Sequence, residues 1–260
     1  MTRWKKVDNY QAMSEYGAEQ IFQVIAKASQ QGKRVNIGLA TGNTMLELYP
    51  LLAEKLNQNK IALDGLHTYN LDEYIAGDGH PVSPKHPLSY QRYMEENLFQ
   101  HLDAALGFTE KQRHFPYPMN PAGFDQALVD AGGLDLQLLG IGFNGHIAFN
   151  EPQSKKEISV EDFAALPTRV IDLKPLTIAT NARLTAGGDE RLVPHQAVTM
   201  GMKPILAARK LLLLACFPEQ AAPLKEIRTG RVTPELPASY LLQHADAEIV
   251  YTADTITLEK

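Results

Sequence analysis

Cysteine is almost absent from this sequence, which contains one, Cys216, in 260 residues. A single cysteine excludes an internal disulfide framework and is typical of a protein from a reducing compartment. Cys216 lies in the apolar run Leu211–Phe217. That setting favours a buried structural thiol over a nucleophile.

Long apolar segments are also missing from the chain. No stretch approaches the roughly 20 apolar residues that a membrane-spanning helix needs. The first ten residues, MTRWKKVDNY, have no apolar segment after their basic residues, so they lack the pattern of a signal peptide. We therefore expect a cytoplasmic protein without membrane association.

The sequence also lacks an excess of positive charge. The 25 Lys and Arg residues are outnumbered by 30 Asp and Glu residues, which gives a net charge of −5. No general field therefore attracts nucleic acid, although a local positive pocket is compatible with this balance. The eight histidines show no metal-ligand spacing, so with one cysteine the sequence predicts no metal site.

Short apolar runs alternate with stretches whose apolar residues recur at spacings of three and four. This alternation predicts an α/β fold with a mostly parallel sheet and helices on both faces. The continuous run Leu211–Leu214 fits such a sheet, because its strands are buried on both sides. The length and the absence of linkers predict one domain over residues 1–260.

The predicted strands are Arg34–Ala40, Leu66–Leu71, Leu134–Ile141, Ala197–Met200, Lys210–Phe217 and Glu248–Tyr251. The predicted helices are Tyr10–Gln31, Met45–Leu56, Ser89–Leu102, Asp125–Ala131, Pro204–Arg209 and Pro218–Arg228.

Two segments rich in Pro, Gly and charge, Gly77–Pro87 and Pro152–Lys174, have the composition of surface loops. The second is long enough to form an active-site lid, which we place around residues 152–187. A disordered insertion is the alternative.

The first candidate site is a turn after the strand that contains Asn36. Thr41, Gly42, Asn43 and Thr44 follow this strand and precede a helix, so the turn is expected at the carboxyl end of the sheet. Backbone N–H groups and the positive end of a helix suit such a turn for binding phosphate, with Asn43 or Thr44 capping the helix. A turn capped only for stability is the alternative.

The second candidate site is the adjacent carboxylate pair Asp72 and Glu73 at the end of another apolar strand. A carboxylate in this place is able to take a proton from a carbon beside a carbonyl or imine. Adjacent residues of an extended chain point in opposite directions, so only one of the two is expected to face a ligand. A pair that caps a helix or lies in solvent is the alternative.

The third candidate site is the glycine-rich segment Leu138–Pro152, with Gly145 beside Asn144, His146 and Glu151. The spacing of Gly140, Gly142 and Gly145 matches the dinucleotide fingerprint. However, Pro152 follows within seven residues of Gly145 and prevents the long helix that this fingerprint requires. We therefore reject NAD binding. Histidine exchanges protons near neutral pH, and a glutamate is able to orient it.

A fourth segment, Thr177–Arg183, contains an arginine that is able to form a bidentate pair with phosphate. An exposed helical arginine is the alternative for Arg183, and spacing alone favours it.

Together these segments resemble the glucosamine-6-phosphate deaminase (isomerase) family over nearly the whole chain. The motifs that carry the resemblance are, in order, LATGNT, YNLDEY, HPLSY, LLGIGFNGHIAFNEP, NARL, VPHQAVTMGM and PASYLLQH. The resemblance implies a Rossmann-like fold that converts glucosamine 6-phosphate and water to fructose 6-phosphate and ammonia without an organic cofactor.

The resemblance also implies roles for individual residues. The aspartate that matches Asp72 moves a proton between C2 and C1 of the sugar. The histidine that matches His146 assists ring opening, with help from the residues that match Asn144 and Glu151. The turn Thr41–Thr44, Gly145 and Arg183 would hold the substrate and its phosphate.

Three positions depart from the family's pattern. Asn144 stands where some members have Asp, and Asn43–Met45 replaces a Ser/Gly-Thr-Pro turn. A phosphate-binding lysine is replaced by Gln220, next to Glu219, which is expected to weaken phosphate binding unless Lys203 or Lys225 takes its place.

The departures keep other functions open. Galactosamine 6-phosphate is an alternative substrate, a 6-phosphogluconolactonase-like hydrolase is an alternative enzyme, and a non-catalytic sugar-phosphate sensor is an alternative of another class. In each of these cases the protein binds a small molecule. The family includes monomers and homo-oligomers, and the sequence does not choose between them.

Overall fold

A seven-stranded sheet in which every pairing is parallel forms the centre of the computed structural model, which describes residues 2–258. The strand order is β1-β10-β9-β6-β2-β3-β5. The prediction of an α/β fold with a mostly parallel sheet is confirmed. The seven strands are β1 (Arg3–Val7), β2 (Val35–Leu39), β3 (Leu66–Asn70), β5 (Arg113–His114), β6 (Leu136–Leu139), β9 (Leu211–Ala215) and β10 (Ala247–Thr252).

The central strands of the sheet are buried along their whole length, and helices cover the sheet. All five residues of β9 are buried, as are all five of β2, so neither face of the sheet is open to solvent there. The helices are α1 (Tyr10–Gln30), α2 (Leu48–Gln58), α3 (Tyr90–Asn97), α4 (Pro121–Asp130), α5 (Val160–Ala164), α6 (Pro175–Thr185), α7 (Met202–Leu206) and α8 (Ala221–Ile227).

A second, antiparallel sheet of three strands lies beyond the end of β3. It consists of β4 (Asp72–Ile75), β8 (Gln196–Thr199) and β7 (Arg169–Asp172), in that order. Leu71 joins the two sheets, since its N–H donates to Leu39 and its carbonyl accepts from Met200. The predicted strand Leu66–Leu71 therefore ends at Asn70, and a new strand begins at Asp72.

The prediction that Pro152–Lys174 is a loop is wrong, because this segment contains α5 and β7. Pairing with β8 supplies the stability that the local sequence of β7 does not predict. Gly77–Pro87 does form a loop.

The four candidate motifs meet at one edge of the sheet. Three of them follow β2, β3 and β6, and the turn that contains Gln220 follows β9. These four strands are neighbours in the strand order, and parallel strands present their carboxyl ends together. The fourth motif lies in α6, which follows β7 and lines the pocket at this edge. In the strand order, β3 lies on one side of the neighbouring strands β2 and β6, and β9 lies on their other side. The chain therefore leaves β2 and β6 in opposite directions along the sheet. The gap between such strands is where open α/β sheets bind ligands. None of the helices within residues 2–258 is long and apolar enough to span a membrane.

Candidate active site

A pocket of about 530 Å³ opens at this edge of the sheet. Six of the predicted site residues line it, namely Gly42, Asn43, Thr44, Asn144, His146 and Gln220. The other predicted residues, which lie outside the lining, are Thr41, Asp72, Gly145, Glu151 and Arg183. The loop after β6 and helix α6 supply much of the remaining wall.

The turn after β2 is held open by a glycine. Gly42 has a φ of +112°, which residues with a Cβ rarely adopt, and its carbonyl accepts from the hydroxyl of Tyr93 at 2.8 Å. The expectation that Asn43 or Thr44 caps a helix is wrong, because a 3₁₀ turn over Asn43–Met45 intervenes and α2 begins only at Leu48. The Asn43 amide instead donates to the carbonyl of Leu184 in α6 at 3.3 Å.

The two carboxylates of β4 point in opposite directions, as predicted. Glu73 caps helix α3, since it accepts from the N–H groups of Tyr90 and Gln91 at 3.0 Å each. Asp72 lies on the same face of the strand as Tyr74, which lines the pocket. The helix-capping alternative therefore applies to Glu73, and Asp72 is the carboxylate beneath the pocket.

Asp72 is a buried acid with incomplete pairing. Its Oδ1 has no hydrogen-bond partner among the residues that the structure describes. Burial raises the pKa of Asp72 from 3.8 to about 7, although a hydrogen bond with Thr199 and the charge of His146 oppose this rise. Such a carboxyl group is able to gain and lose a proton near neutral pH.

His146 is connected to Glu151 through Asn144. The Nδ1 of His146 lies 2.8 Å from Oδ1 of Asn144, and Nδ2 of Asn144 donates to Oε2 of Glu151 at 2.7 Å. Because a carboxylate only accepts, Asn144 must turn its N–H toward Glu151 and its oxygen toward His146. The imidazole Nδ1 therefore carries a proton, and Nε2 is left as the nitrogen for a ligand.

Glu151 is ionised in this arrangement. Burial alone raises its pKa, but hydrogen bonding and charge from His146, with hydrogen bonds from Thr177 and Asn144, lower it to about 2. The direct separation between His146 Nδ1 and Glu151 Oε2 is 3.7 Å, so the amide of Asn144 is the closer contact of the imidazole. Thr177, at the start of α6, was missed as a partner of Glu151, since only the fold brings it there.

Two glycines allow this loop to fold back on itself. A Cβ on Gly142 would lie 2.2 Å from Cε1 of His146, so the imidazole rests against bare backbone. Gly145 has a φ of +84°, and a Cβ there would lie 2.3 Å from Leu236. Gly145 therefore shapes the turn that presents His146.

Tyr74, Tyr90 and Asn181 form a polar wall that the residue patterns did not single out. The Asn181 amide donates to the Tyr74 hydroxyl at 2.7 Å, and the two tyrosine hydroxyls lie 3.4 Å apart. Burial raises the pKa of Tyr74 to about 12, so its hydroxyl stays protonated as a hydrogen-bond donor. The sequence signal for this wall was that Tyr74, Tyr90 and Asn181 belong to the YNLDEY, HPLSY and NARL motifs.

Arg183 lies in the last turn of α6 and is mostly exposed. Its guanidinium contacts Glu219 at 3.4 Å and lies 5.8 Å from the ring centroid of Phe143, which lines the pocket. The arginine therefore stands at the rim of the pocket, already paired with a carboxylate.

Gln220 is buried and its amide is bound within the protein. Its oxygen accepts from the N–H groups of Cys216 and Phe217 at 2.8 Å each, and its nitrogen donates to Ile141 at 2.7 Å. Gln220 thus closes the turn after β9 and ties it to the end of β6. Cys216 is a buried free thiol, whose pKa burial raises to about 11, so the prediction of a structural cysteine is confirmed.

Replacing Gln220 by lysine is expected to destabilise the fold. An ammonium group accepts no hydrogen bond, so the N–H groups of Cys216 and Phe217 lose their partner. The cost is roughly 1–3 kcal/mol for the buried N–H of Cys216 and less for the part-buried N–H of Phe217. We expect a melting temperature lower by about 5–10 °C for a chain of this size. Differential scanning calorimetry checks this, with Gln100→Lys on the exposed surface as the control. An unchanged melting temperature for Gln220→Lys would contradict the role given to the amide.

Among the residues that the structure describes, no Lys or Arg lines the pocket, so neither Lys203 nor Lys225 does. The lining contains one carboxylate, Glu96, on helix α3. Within residues 2–258, no group of three His, Cys, Asp or Glu residues is placed to hold a metal ion. Positive charge near the pocket therefore comes from Arg183 at its rim and from His146 when it is protonated.

Comparison with known proteins gives consistent matches over the length of the chain. Residues 8–251 match the family model of glucosamine-6-phosphate isomerases/6-phosphogluconolactonase. The glucosamine-6-phosphate deaminase of Geobacillus sp. (strain WCH70) is 38% identical over 259 residues, which cover 96% of this chain and 93% of that protein.

Solved structures give the same result for the fold. A monomeric glucosamine-6-phosphate deaminase superimposes with a TM-score of 0.86 at 28% identity, covering 99% of this chain and 100% of the other. The 6-phosphogluconolactonase of Thermotoga maritima superimposes with a TM-score of 0.70 at 18% identity, covering 97% of this chain and 99% of that one, and shares the fold.

Proposed function

This chain belongs to the family of glucosamine-6-phosphate isomerases and 6-phosphogluconolactonases, and on that premise we propose that it is a glucosamine-6-phosphate deaminase. It converts glucosamine 6-phosphate and water to fructose 6-phosphate and ammonia. The observation that carries the proposal is the pairing of two acid–base groups at one pocket. Asp72, which lies beneath the pocket, has a pKa raised by burial to about 7, and His146 lines the pocket with Nε2 left for a ligand.

The reaction needs two separate proton transfers, and the two groups suit them. The ring must open first, because C2–H becomes acidic only beside the free aldehyde. His146 takes the proton of the C1 hydroxyl and returns it to the ring oxygen, while Asn144 and the ionised Glu151 hold the imidazole. General acid–base groups of this kind each contribute typically ~10²–10⁴ in rate.

Asp72 then acts on the open chain. Its carboxylate removes the proton from C2, and the resulting enolamine receives a proton at C1. The product is an imine at C2, to which water adds before ammonia leaves. A carboxyl group with a pKa near 7 is suited to taking and returning this proton at neutral pH.

The other end of the pocket is assigned to the substrate's phosphate. The backbone of Thr41, Gly42, Asn43 and Thr44 supplies N–H donors, and Arg183 supplies charge from the rim. Gly145 shapes the turn that presents His146 to the substrate. Gln220, which lines this end, keeps the turn after β9 in place and has one further amide N–H to offer.

Residues 152–187 act as a lid within a single domain over residues 1–260. Support comes from α6, which lines the pocket and is tied to its base by hydrogen bonds from Thr177 to Glu151 and from Asn181 to Tyr74. Contacts to the part of the substrate that lies far from its reacting carbons orient the substrate in the pocket. This orientation is worth several kcal/mol of the barrier.

The protein works in the cytoplasm, without nucleic-acid or membrane partners. Its relative with a TM-score of 0.86 is described as monomeric and is covered over its full length, which favours a monomer over a homo-oligomer here. Light scattering of the purified protein tests the oligomeric state.

An ammonia-release assay tests the function. We expect ammonia and fructose 6-phosphate in equal amounts from glucosamine 6-phosphate, and slower release from galactosamine 6-phosphate. The panel includes 6-phosphogluconolactone, glucosamine and galactosamine. Hydrolysis of the lactone without ammonia from any amino sugar would overturn the proposal in favour of a lactonase. Binding of the amino-sugar phosphates without turnover would favour a sensor.

A further inference from the structure

The ion pair between Arg183 and Glu219 lies at the end of the pocket assigned to phosphate. Arg183 Nη2 lies 3.4 Å from Glu219 Oε1, and the guanidinium also lies over the ring of Phe143. The ring of Phe143 in turn contacts Phe217, with 6.0 Å between centroids. Both phenylalanines line the pocket, so this pair borders the space that a ligand enters.

Charge is scarce at this end of the pocket. No Lys or Arg is among the lining residues, and Gln220 carries no charge and is bound to backbone groups. Arg183 is therefore the guanidinium on which recognition of a phosphate dianion depends. Glu219 offers the same arginine a carboxylate before any substrate arrives.

We propose that Glu219 is a specificity-determining residue that competes with the substrate's phosphate for Arg183. This inference rests on the proposed function, because it takes an amino-sugar phosphate as the ligand. A phosphate must displace the carboxylate to form a bidentate pair with the guanidinium, and it then lies beside a repelling negative charge. The ion pair thus raises the KM for phosphorylated substrates.

The competition is modest in size, because the pair is solvent-exposed. The side chains of Arg183 and Glu219 are 60% and 45% exposed, and exposed ion pairs are weak and screened by salt. A phosphate dianion therefore wins this competition, whereas a neutral hydroxyl at C6 does not separate the pair. Glu219 tunes affinity for phosphate and leaves proton transfer at Asp72 and His146 unaffected.

Glu219→Gln tests the proposal by removing the charge and keeping the size. We expect the KM for glucosamine 6-phosphate to fall about three- to tenfold at low ionic strength, with kcat unchanged. The difference should shrink at about 0.5 M salt because of screening. With unphosphorylated glucosamine, kcat/KM should match that of the unsubstituted enzyme.

Glu226→Gln is a matched control. Glu226 pairs with Arg231 at 3.0 Å, and the side chains of Arg231 and Glu226 are 59% and 45% exposed, much like the pair at the pocket. Neither residue lines the pocket. Glu226→Gln removes the same charge from the protein, and we expect it to leave KM unchanged.

An equal change of KM for glucosamine and glucosamine 6-phosphate, or no change, would contradict the proposal. In an Arg183→Gln background, the effect of Glu219→Gln should be smaller, because only the direct repulsion of the phosphate remains, and an undiminished effect would also contradict the proposal. Titration with inorganic phosphate separates this inference from the proposed function. If the enzyme releases no ammonia, tighter phosphate binding by Glu219→Gln still supports the competition, and equal binding overturns it.

Discussion

Replacing Asp72 by asparagine is expected to abolish turnover of glucosamine 6-phosphate, with kcat lower by at least about 10²–10⁴-fold. The amide keeps the shape of the side chain but accepts no proton near neutral pH. Substrate affinity should stay within a few-fold of that of the unsubstituted enzyme, because the phosphate and the hydroxyl groups are held elsewhere. Steady-state kinetics and calorimetric binding measure the two quantities separately.

The same substitution is expected to leave the fold intact at alkaline pH. The pKa of Asp72 is raised by burial from 3.8 to about 7, so between these values the folded state binds a proton that the unfolded state has released. The contribution of this group to stability therefore falls as the pH rises from about 4 to 7 and then stays low. A difference of about three pH units corresponds to roughly 4 kcal/mol.

Asparagine does not ionise, so Asp72→Asn removes the loss of folding stability that ionisation of the buried carboxyl group causes. The buried N–H groups of the asparagine offset part of this gain in stability. We expect the melting temperature of Asp72→Asn at pH 8 to equal or exceed that of the unsubstituted protein, and the difference to decrease toward pH 4. A lower melting temperature at pH 8 together with lost activity would indicate a structural role for Asp72 and contradict the assignment as base.

His146→Gln is expected to have the second largest effect, a fall in kcat of roughly 10²-fold or more. Glutamine is able to donate and accept hydrogen bonds in the place of the imidazole, but it does not titrate near neutral pH. Because His146 serves the ring-opening step, the loss should appear mainly in kcat, with KM changed little. Kinetics with glucosamine 6-phosphate measure both constants.

His195→Gln serves as the control, since His195 is exposed and lies outside the pocket. We expect it to retain full activity. Activity of His146→Gln within a few-fold of the unsubstituted enzyme would mean that ring opening does not depend on the imidazole.

Much of this fold was predictable from the sequence, for a simple physical reason. Strands that are buried on both faces tend to be apolar at successive positions, so Leu211–Ala215 stands out without any structure, and the Val, Ile and Leu residues of Val35–Leu39 mark a second strand. Polar residues directly after such strands are confined to one edge of the sheet. For that reason the turn at Gly42 and the loop at His146 could be placed together.

The remaining features depend on contacts between distant segments. The strands β4 and β7 have four residues each and mix polar with apolar side chains, and both pair with β8, which lies between them. The hydrogen bond from Thr177 to Glu151 joins residues 26 positions apart. No local pattern predicts such a contact.

Gln220 shows a different limit. From the sequence it is a missing cation in the place of a phosphate-binding lysine. In the structure its amide holds the backbone at Cys216, Phe217 and Ile141. The sequence shows that glutamine in place of lysine removes a positive charge. Only the structure shows which groups the glutamine side chain binds instead.

The transfer of hydrogen from C2 by Asp72 is tested most directly with glucosamine 6-phosphate that carries deuterium at C2. We expect the unsubstituted enzyme to react more slowly with this substrate than with the unlabelled sugar. The deuterium should leave C2, and part of it should be recovered at C1 of fructose 6-phosphate. In Asp72→Asn, the deuterium should remain on C2. Release of deuterium from C2 by Asp72→Asn at the rate of the unsubstituted enzyme would contradict the account.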